Sequence, residues 1–456
     1  MTSSPQRSGT AGTGGADGRT VGAPAVSSPG PAVWAWLVGI GLTGAVLGYL
    51  GKVRCRFGGA WLDGSQYPAL CYSDVFALYY RDELDAGTVP YVDKPVEYPV
   101  LTGVLMHLLA RAVSWLPDPL ARGYGYFDAT AAVMGVCLVV TVVCTGWLVG
   151  RGGVVPARRP FDLRAALFAG VFVALVPAAV LTFAINWDLL AVALAVGGLA
   201  CYARNRLWAA GALIGLAVAA KFYPFLFFGP LFVFMVRDLV RDGAGRDAVV
   251  RFATPLAGAL LAWGAVNLPV YLASPEGWVE FFTFSRERGA DWGSVYYVLG
   301  AFDLFPYADL DRVNLVGTGT LLLACVGIAL LILFAPGRPP VEQLLFLVVA
   351  AFLVTNKVWS PQFVLWLLPL AMLAWPRRRA LQPVAVALVG IWQLAEIGYI
   401  VGIWHYLWFY QNPDAGVGIG LTAYAVVTFG RLVSLLGVCA VVAVDSAMTG
   451  VSELDN

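Results

Sequence analysis

Between Cys71 and Pro99 the chain sets six carboxylates, Asp74, Asp82, Glu83, Asp85, Asp93 and Glu97, among tyrosines at positions 72, 79, 80, 91 and 98. Carboxylates take protons from hydroxyls, and aromatic rings offer broad apolar faces with a polar edge. Together they suit a carbohydrate better than they suit a merely solvated loop. The plain alternative is a polar loop with aromatic anchors at a membrane interface. Residues 73–86 have helical spacing, which puts Asp74 at the start of a short helix. Asp82, Glu83 and Asp85 then read as its wet face.

Three other polar clusters could act with it. Asn186-Trp187-Asp188 opens an apolar run, where an acidic residue suits a helix N-terminus and simple capping is the ordinary account. Lys221 interrupts an apolar hairpin in Lys221-Phe222-Tyr223-Pro224. It could snorkel to the surface, or aim a cation at a phosphate. Asn356 to Gln362 (NKVWSPQ) supplies a second cation, Lys357, with amides beside it, and Arg286 and Arg288 lie in a long polar loop. Ionisable residues near membrane depth are site candidates in their own right.

The elements that must position these groups follow from composition. Of 456 residues, 59% are hydrophobic and 12% charged, with mean hydropathy +0.76; soluble proteins carry about 25% charged residues. A membrane-spanning helix takes about 20 apolar residues, so the long uncharged runs specify an all-α, polytopic membrane protein. Soluble enzymes, secreted domains and nucleic-acid binders are excluded. The net charge of +1 points to no partner. Residues 1–31, rich in Ser, Gly, Ala, Thr and Pro, read as a disordered tail.

Apolar runs place spans near 33–50, 126–149, 165–183, 187–203, 208–220, 222–236, 252–273, 313–335, 342–355, 363–376, 382–404 and 420–444. One set of connectors carries arginine: Arg151, Arg158, Arg159 and Arg164; Arg204 and Arg206; Arg237 to Arg251; Arg338; and Arg377 to Arg379. Positive residues favour the cytoplasm. All connectors obey that rule if residues 99–116, with His107 and Arg111 four apart, form an interfacial helix and residues 207–236 break at Lys221. Twelve spans then leave both termini cytoplasmic, 446–456 as a cytoplasmic tail, and loops 51–125 and 274–312 outside. Short broken helices are tolerated at membrane depth only where they line a cavity, which puts a cavity at the outer face.

The order of these pieces resembles the polyprenyl-phosphate-dependent membrane glycosyltransferases of the GT-C superfamily. It is most similar to glycosyltransferase family eighty-seven, the actinobacterial mannosyltransferases acting on lipid-linked glycans. The resemblance covers about 33 to 444 and is carried by Gly87-Thr88-Val89-Pro90-Tyr91, Glu97-Tyr98-Pro99, the Lys221–Pro224 break and Asn356 to Gln362. Val100 stands where relatives often have a second proline.

It implies a GT-C domain over 32–445 with a catalytic outer loop at 51–125. The reaction it implies is inverting transfer of a sugar, mannose by expectation, from a polyprenyl-phosphate donor to a glycolipid or cell-envelope glycan in the plasma membrane. Asp74 becomes the general base. Lys221, Lys357, Arg286 and Arg288 become candidates for the donor phosphate, and Tyr79, Tyr80, Tyr91, Glu97, Tyr98, Asp188 and Gln362 for sugar or acceptor.

No cofactor is expected, because the polyprenyl-phosphate sugar is a substrate. No metal is expected either: His107 and His405 make no ligand set, and no glycine-rich phosphate loop occurs. Cys55 and Cys71 share the outer loop, and an oxidising exterior would join them in a disulfide. A lipid-linked glycan flippase also fits twelve spans with broken helices. The absence of an internal repeat and the gathering of polar residues at outer helix ends favour the transferase, and a ligase would carry its polar residues in a late loop.

Overall fold

The computed structural model describes residue 2 and residues 30–155, 160–241, 243 and 245–449. The expected tail before residue 30 (Thr2 apart), Arg158, Arg159 and the residues after 449 lie outside the described residues. Among the described residues the chain is helical, with no strand beyond an isolated bridge between Pro90 and Lys94.

The first helix, α1 (Pro31–Leu50), leads through a short α2 (Val53–Gly58) into the loop that carries α3 (Asp74–Arg81) and α4 (Val100–Val113). The bundle continues with α5 (Pro119–Gly150), α6 (Leu163–Leu175), α7 (Pro177–Thr182), α8 (Asp188–Ala203), α9 (Leu207–Ala220), α10 (Phe228–Arg241) and α11 (Gly245–Ala273). A second loop holds α12 (Pro275–Glu287) and α13 (Val295–Ala301). The chain then completes α14 (Leu310–Phe334), α15 (Val341–Thr355), α16 (Val364–Leu373), α17 (Gln382–Gln411) and α18 (Leu421–Ala447).

Among the described residues seven helical segments are long and apolar enough to cross a membrane: 31–58, 119–150, 223–241, 245–273, 310–334, 379–411 and 421–447. The protein is therefore a multi-pass membrane protein. The shorter apolar helices include α8, α9, α15 and α16, and these are the most enclosed. Every residue of α16 is buried, as expected of a helix that is apolar all round.

Close approach of α9 and α11 depends on glycine. A Cβ on Gly211 would stand 2.1 Å from the Pro255 carbonyl oxygen, and one on Gly215 would stand 2.3 Å from that of Ala259. Small residues let helix backbones meet in this way where lipid gives no hydrophobic drive.

Two helices break where the site needs backbone. Lys221 caps α9 in an extended conformation (φ −156°, ψ 134°), and Tyr223–Phe227 follow as a 3₁₀ turn containing Pro224. Asn356 is likewise extended after α15. A third break falls inside 165–183, read above as one helix: Val176 is extended and Pro177 starts α7, because a residue before proline is forced out of the helical region. The segment 99–116 forms α4, whose Thr102 hydroxyl donates to the Ala220 carbonyl at 2.7 Å.

Candidate active site

Several segments converge on a cavity of about 680 Å³: the start of α3, the stretch before α4, the turn before α8, the breaks at Lys221 and Asn356, the end of α12 with the residues after it, and the end of α17. Its walls include Tyr72, Asp74, Glu97, Tyr98, Asn186, Lys221, Arg288, Lys357, Gln362 and Trp404. That size suits a small ligand site.

Asp74 is placed by its neighbours on both sides. Ser73 caps α3, its hydroxyl accepting from the Val75 amide at 3.2 Å and donating to the Ala184 carbonyl at 2.7 Å. The Asp74 amide donates to the Ile185 carbonyl at 2.7 Å. The helix start is thus fixed to the segment between α7 and α8. The Tyr72 hydroxyl donates to Asp74 Oδ1 at 2.7 Å, which leaves Oδ2 for a substrate. Burial pushes the Asp74 carboxyl up to about 6. The Tyr72 hydrogen bond and Lys221 pull it down, and the charges of Glu97 and Asp188 add to the rise. A carboxylate with that value is ionised at neutral pH and is a stronger base than an ordinary aspartate. Tyr72 itself is held protonated, chiefly by the Asp74 charge and then by burial.

Cations line the cavity beside this carboxylate. Lys221 pairs with Asp188 at 2.9 Å, and its ammonium lies 5.2 Å from the Tyr98 ring centroid and 5.3 Å from that of Phe363. Asp188 also accepts from the Trp366 indole at 3.0 Å. Lys357 donates to the Arg286 carbonyl at 2.7 Å, and burial lowers its pKa, with Arg288 adding to the effect. Arg288 approaches Asp291 at 3.5 Å. An ammonium has three donors and a guanidinium five, so these groups retain donors for an anion.

The loop bearing Lys357 is held from behind. Arg431 of α18 donates to the carbonyls of Trp359 at 2.9 Å and Ser360 at 3.3 Å. It also pairs with Glu396 of α17 at 2.9 Å, neither side chain having any exposure.

Comparison with known sequences gives this chemistry a family. Residues 97–361, more than half of the chain, match the profile of glycosyltransferase family 87. The chain belongs to glycosyltransferase family 87. It is also similar to the polyprenol-phosphate-mannose-dependent alpha-(1-2)-phosphatidylinositol mannoside mannosyltransferase of Mycolicibacterium smegmatis, at 27% identity over 350 residues, 71% of this chain and 70% of that one. The protein is thus a membrane glycosyltransferase. The family match starts beyond Asp74 and ends before Gln362, so the α3 carboxylate and the α17 and α18 anchors are read from this chain alone.

Within this family 87 chain the candidates separate into two groups. Asp74, Glu97, Tyr98, Lys221, Arg288, Lys357 and Gln362 line the cavity. Asp188 stands just behind, on Lys221. Arg286 contributes its backbone carbonyl to Lys357 rather than its charge to the cavity wall. Tyr79, Tyr80 and Tyr91 are not part of that wall either. Tyr79 is buried on the Tyr126 ring, with centroids 4.6 Å apart. Tyr80 donates to the Pro119 carbonyl at 3.2 Å, and Tyr91 donates to the carbonyls of Tyr98 and Pro99, each at 2.9 Å. Their tyrosine-rich spacing reflects packing of α3 and α4. Cys55 and Cys71 are joined in a disulfide, Cα atoms 5.8 Å apart.

Sequence reasoning passed over Tyr67, Asp291, Trp292, Trp366 and Trp404 as wall residues and gave Tyr72, noted among the loop's tyrosines, no role of its own; only the density of aromatics near helix ends hinted at them. It also passed over a D-x-D sequence, Asp309-Leu310-Asp311. That pair stands at the start of α14, away from the cavity wall, where Asp309 accepts from the Arg312 amide at 3.0 Å as a helix cap.

Proposed function

We propose that this protein transfers a sugar, mannose in the simplest case, from a polyprenyl-phosphate donor to a glycolipid or glycan acceptor with inversion at the anomeric carbon, and that Asp74 is the general base. One observation carries the reading: a carboxylate held up to about 6 stands in the wall of a cavity also lined by Lys221, Arg288 and Lys357. The kinship to a polyprenol-phosphate-mannose-dependent enzyme supports the donor.

The chemistry balances with these groups alone. Asp74 takes the proton of the acceptor hydroxyl as its oxygen bonds to the anomeric carbon. On the opposite face the carbon–oxygen bond to the donor phosphate breaks, and the electron pair leaves with the polyprenyl phosphate. That leaving group gains one negative charge. The cations, Lys357 and Lys221 at the helix breaks first among them, stabilise it as it develops. A lipid phosphate is already a good leaving group, so no second carboxylic acid is needed. Phe222, Phe281, Phe282 and Phe284 line the same cavity and give the prenyl chain an apolar path toward membrane lipid.

The wider arrangement is read in the same way. The cavity lies at one end of α8, α9 and α15, while Arg151, Arg204 and Arg377 lie at the other ends of the bundle. There Arg151 donates to the Ala203 carbonyl at 3.0 Å and Arg377 pairs with Glu342 at 2.9 Å. Positive residues favour the cytoplasm, which supports a cavity at the outer face of the plasma membrane with both termini inside. Twelve spans in a GT-C fold over 32–445 complete the proposal.

The test uses purified protein in lipid nanodiscs with radiolabelled polyprenyl-phosphate mannose and a crude acceptor-lipid extract. The wild type labels a lipid and Asp74→Asn, equally well folded, does not. Retained transfer in the variant would move the base elsewhere. Failure of the wild type with every polyprenyl-phosphate sugar, while labelled lipid crosses the bilayer, would favour a flippase.

A further inference from the structure

The acceptor is the open half of this reaction, and one wall of the cavity narrows its chemistry. Tyr67, Tyr72 and Trp404 form a contiguous aromatic surface there. The Tyr67 and Tyr72 rings stack at 11° with centroids 5.6 Å apart, and Trp404 lies 4.8 Å from Tyr72 and 5.9 Å from Tyr67. The phenylalanines of the cation wall have no polar edge. Here two of the three rings bear hydroxyls, and one of those hydroxyls is bonded to the base.

Several constraints make platform and base a single unit. Trp404 comes from α17, far along the chain, yet packs on both tyrosines. The Cys55–Cys71 disulfide closes the loop that carries Tyr67. Lys52, 2% exposed, donates to the Tyr72 carbonyl at 2.9 Å. Tyr72 then reaches Asp74 at 2.7 Å. Trp404 is 5% exposed and shows the cavity only a small part of its surface, so a ring lying on the half-buried Tyr67 and Tyr72 and touching Trp404 would be held in a fixed relation to Asp74.

We propose that Tyr67, Tyr72 and Trp404 form the acceptor subsite, and that the acceptor ends in a pyranose whose C–H face lies on these rings with one hydroxyl at Asp74. The aromatic face is electron-rich and the C–H face of a pyranose is weakly positive, so the two attract while the hydroxyls stay at the rim. Fixing the sugar plane in this way selects which hydroxyl meets the base. The ligand class is a saccharide, not a bare lipid alcohol. The proposal rests on the glycosyltransferase reading above.

The test separates the two. Wild type, Trp404→Phe and Trp404→Leu, in nanodiscs with labelled polyprenyl-phosphate mannose, are offered octyl α-D-mannopyranoside or octyl glycerol. The partition of donor between transfer and hydrolysis is read together with KM for each probe. Trp404→Leu is expected to raise KM for the mannoside about tenfold, the loss of one good ring contact, and to shift the partition toward hydrolysis. Trp404→Phe recovers most of it. An unchanged KM in Trp404→Leu, or octyl glycerol serving as well as the mannoside, overturns the proposal. So does an equal fall of both reactions in both variants with a lowered melting temperature. If the wild type consumes no donor, the functional reading fails, and saturation-transfer NMR with the mannoside decides the subsite. Signals at its ring protons that vanish in Trp404→Leu support it, and signals that persist overturn it.

Discussion

Arg431 and Glu396 meet at 2.9 Å with no exposure on either side chain, whereas Lys221 and Asp188 meet at the same separation beside the cavity, with the Lys221 side chain 19% exposed. In the enclosed pair the guanidinium is consumed by protein. It bonds Glu396 and the carbonyls of Trp359 and Ser360, and lies over the rings of Trp359 at 4.1 Å and Tyr399 at 4.2 Å. In the cavity pair Asp188 engages the ammonium from one side, and the other side faces the space a substrate would fill. The same chemistry thus serves as a brace in one place and, on the proposed function, as a binding group in the other. Access decides which.

Replacement of Arg431 should break the comparison most strongly. Arg431→Met leaves Glu396 buried and unpaired, a change that costs about 3–5 kcal/mol. A large drop in the melting temperature is expected in nanodiscs. Arg431→Met with Glu396→Leu should recover most of that stability yet not the transfer rate, because the carbonyls behind Lys357 have lost their anchor. Full recovery of rate would reduce the pair to a packing element.

Lys221→Met comes next. It should lower kcat about 10²–10³-fold, as loss of one preorganised charge does, while the melting temperature moves less than in Arg431→Met. Adding Asp188→Leu sharpens the point. If Lys221 only balances Asp188, the double variant regains activity; the cavity geometry predicts that it does not.

The smallest effect is on pH. On the proposed mechanism Asp74 acts in its ionised form, so with a carboxyl at about 6 kcat/KM should fall about tenfold per unit at lower pH. Tyr72→Phe removes a hydrogen bond that stabilises the carboxylate, and the acid limb should move to higher pH. Lys221, Glu97 and the Tyr98 ring also face this part of the cavity and Asp188 stands behind Lys221, so the shift is read against the Lys221→Met profile. A limb that stays in place would exclude Tyr72 as the group that tunes the base.

Much of the architecture was legible before any coordinates. Long apolar runs have few alternatives to helix at this composition, so the runs from 33–50 to 420–444 fall on helices. The break at Lys221-Phe222-Tyr223-Pro224 was readable because proline and a lone charge both interrupt an apolar helix. The break at Val176 was not inferred, although Pro177 carried the signal. Asp74 at the start of a short helix was visible in local spacing, since N-terminal position and capping by Ser73 depend on neighbours in sequence.

What remained hidden were the relations between distant residues. Tyr79, Tyr80 and Tyr91 share the composition of a sugar site with Tyr67 and Tyr72, yet the first three pack against α5, α4 and nearby backbone. No local pattern separates the two sets. Glu396 and Arg431 each sit alone in an apolar run, and their pairing depends on the facing of α17 and α18. Trp404 meets Tyr72 only because the bundle brings the end of α17 to the disulfide-closed loop. The sequence by itself determined the helices, their breaks and the acidic residue at the head of α3, because hydrophobic burial, proline geometry and capping act over a few residues. Tertiary structure alone decided which charges brace the site, which face it and which rings form its floor, because ion pairing and ring stacking depend on distances that neighbours in sequence do not set.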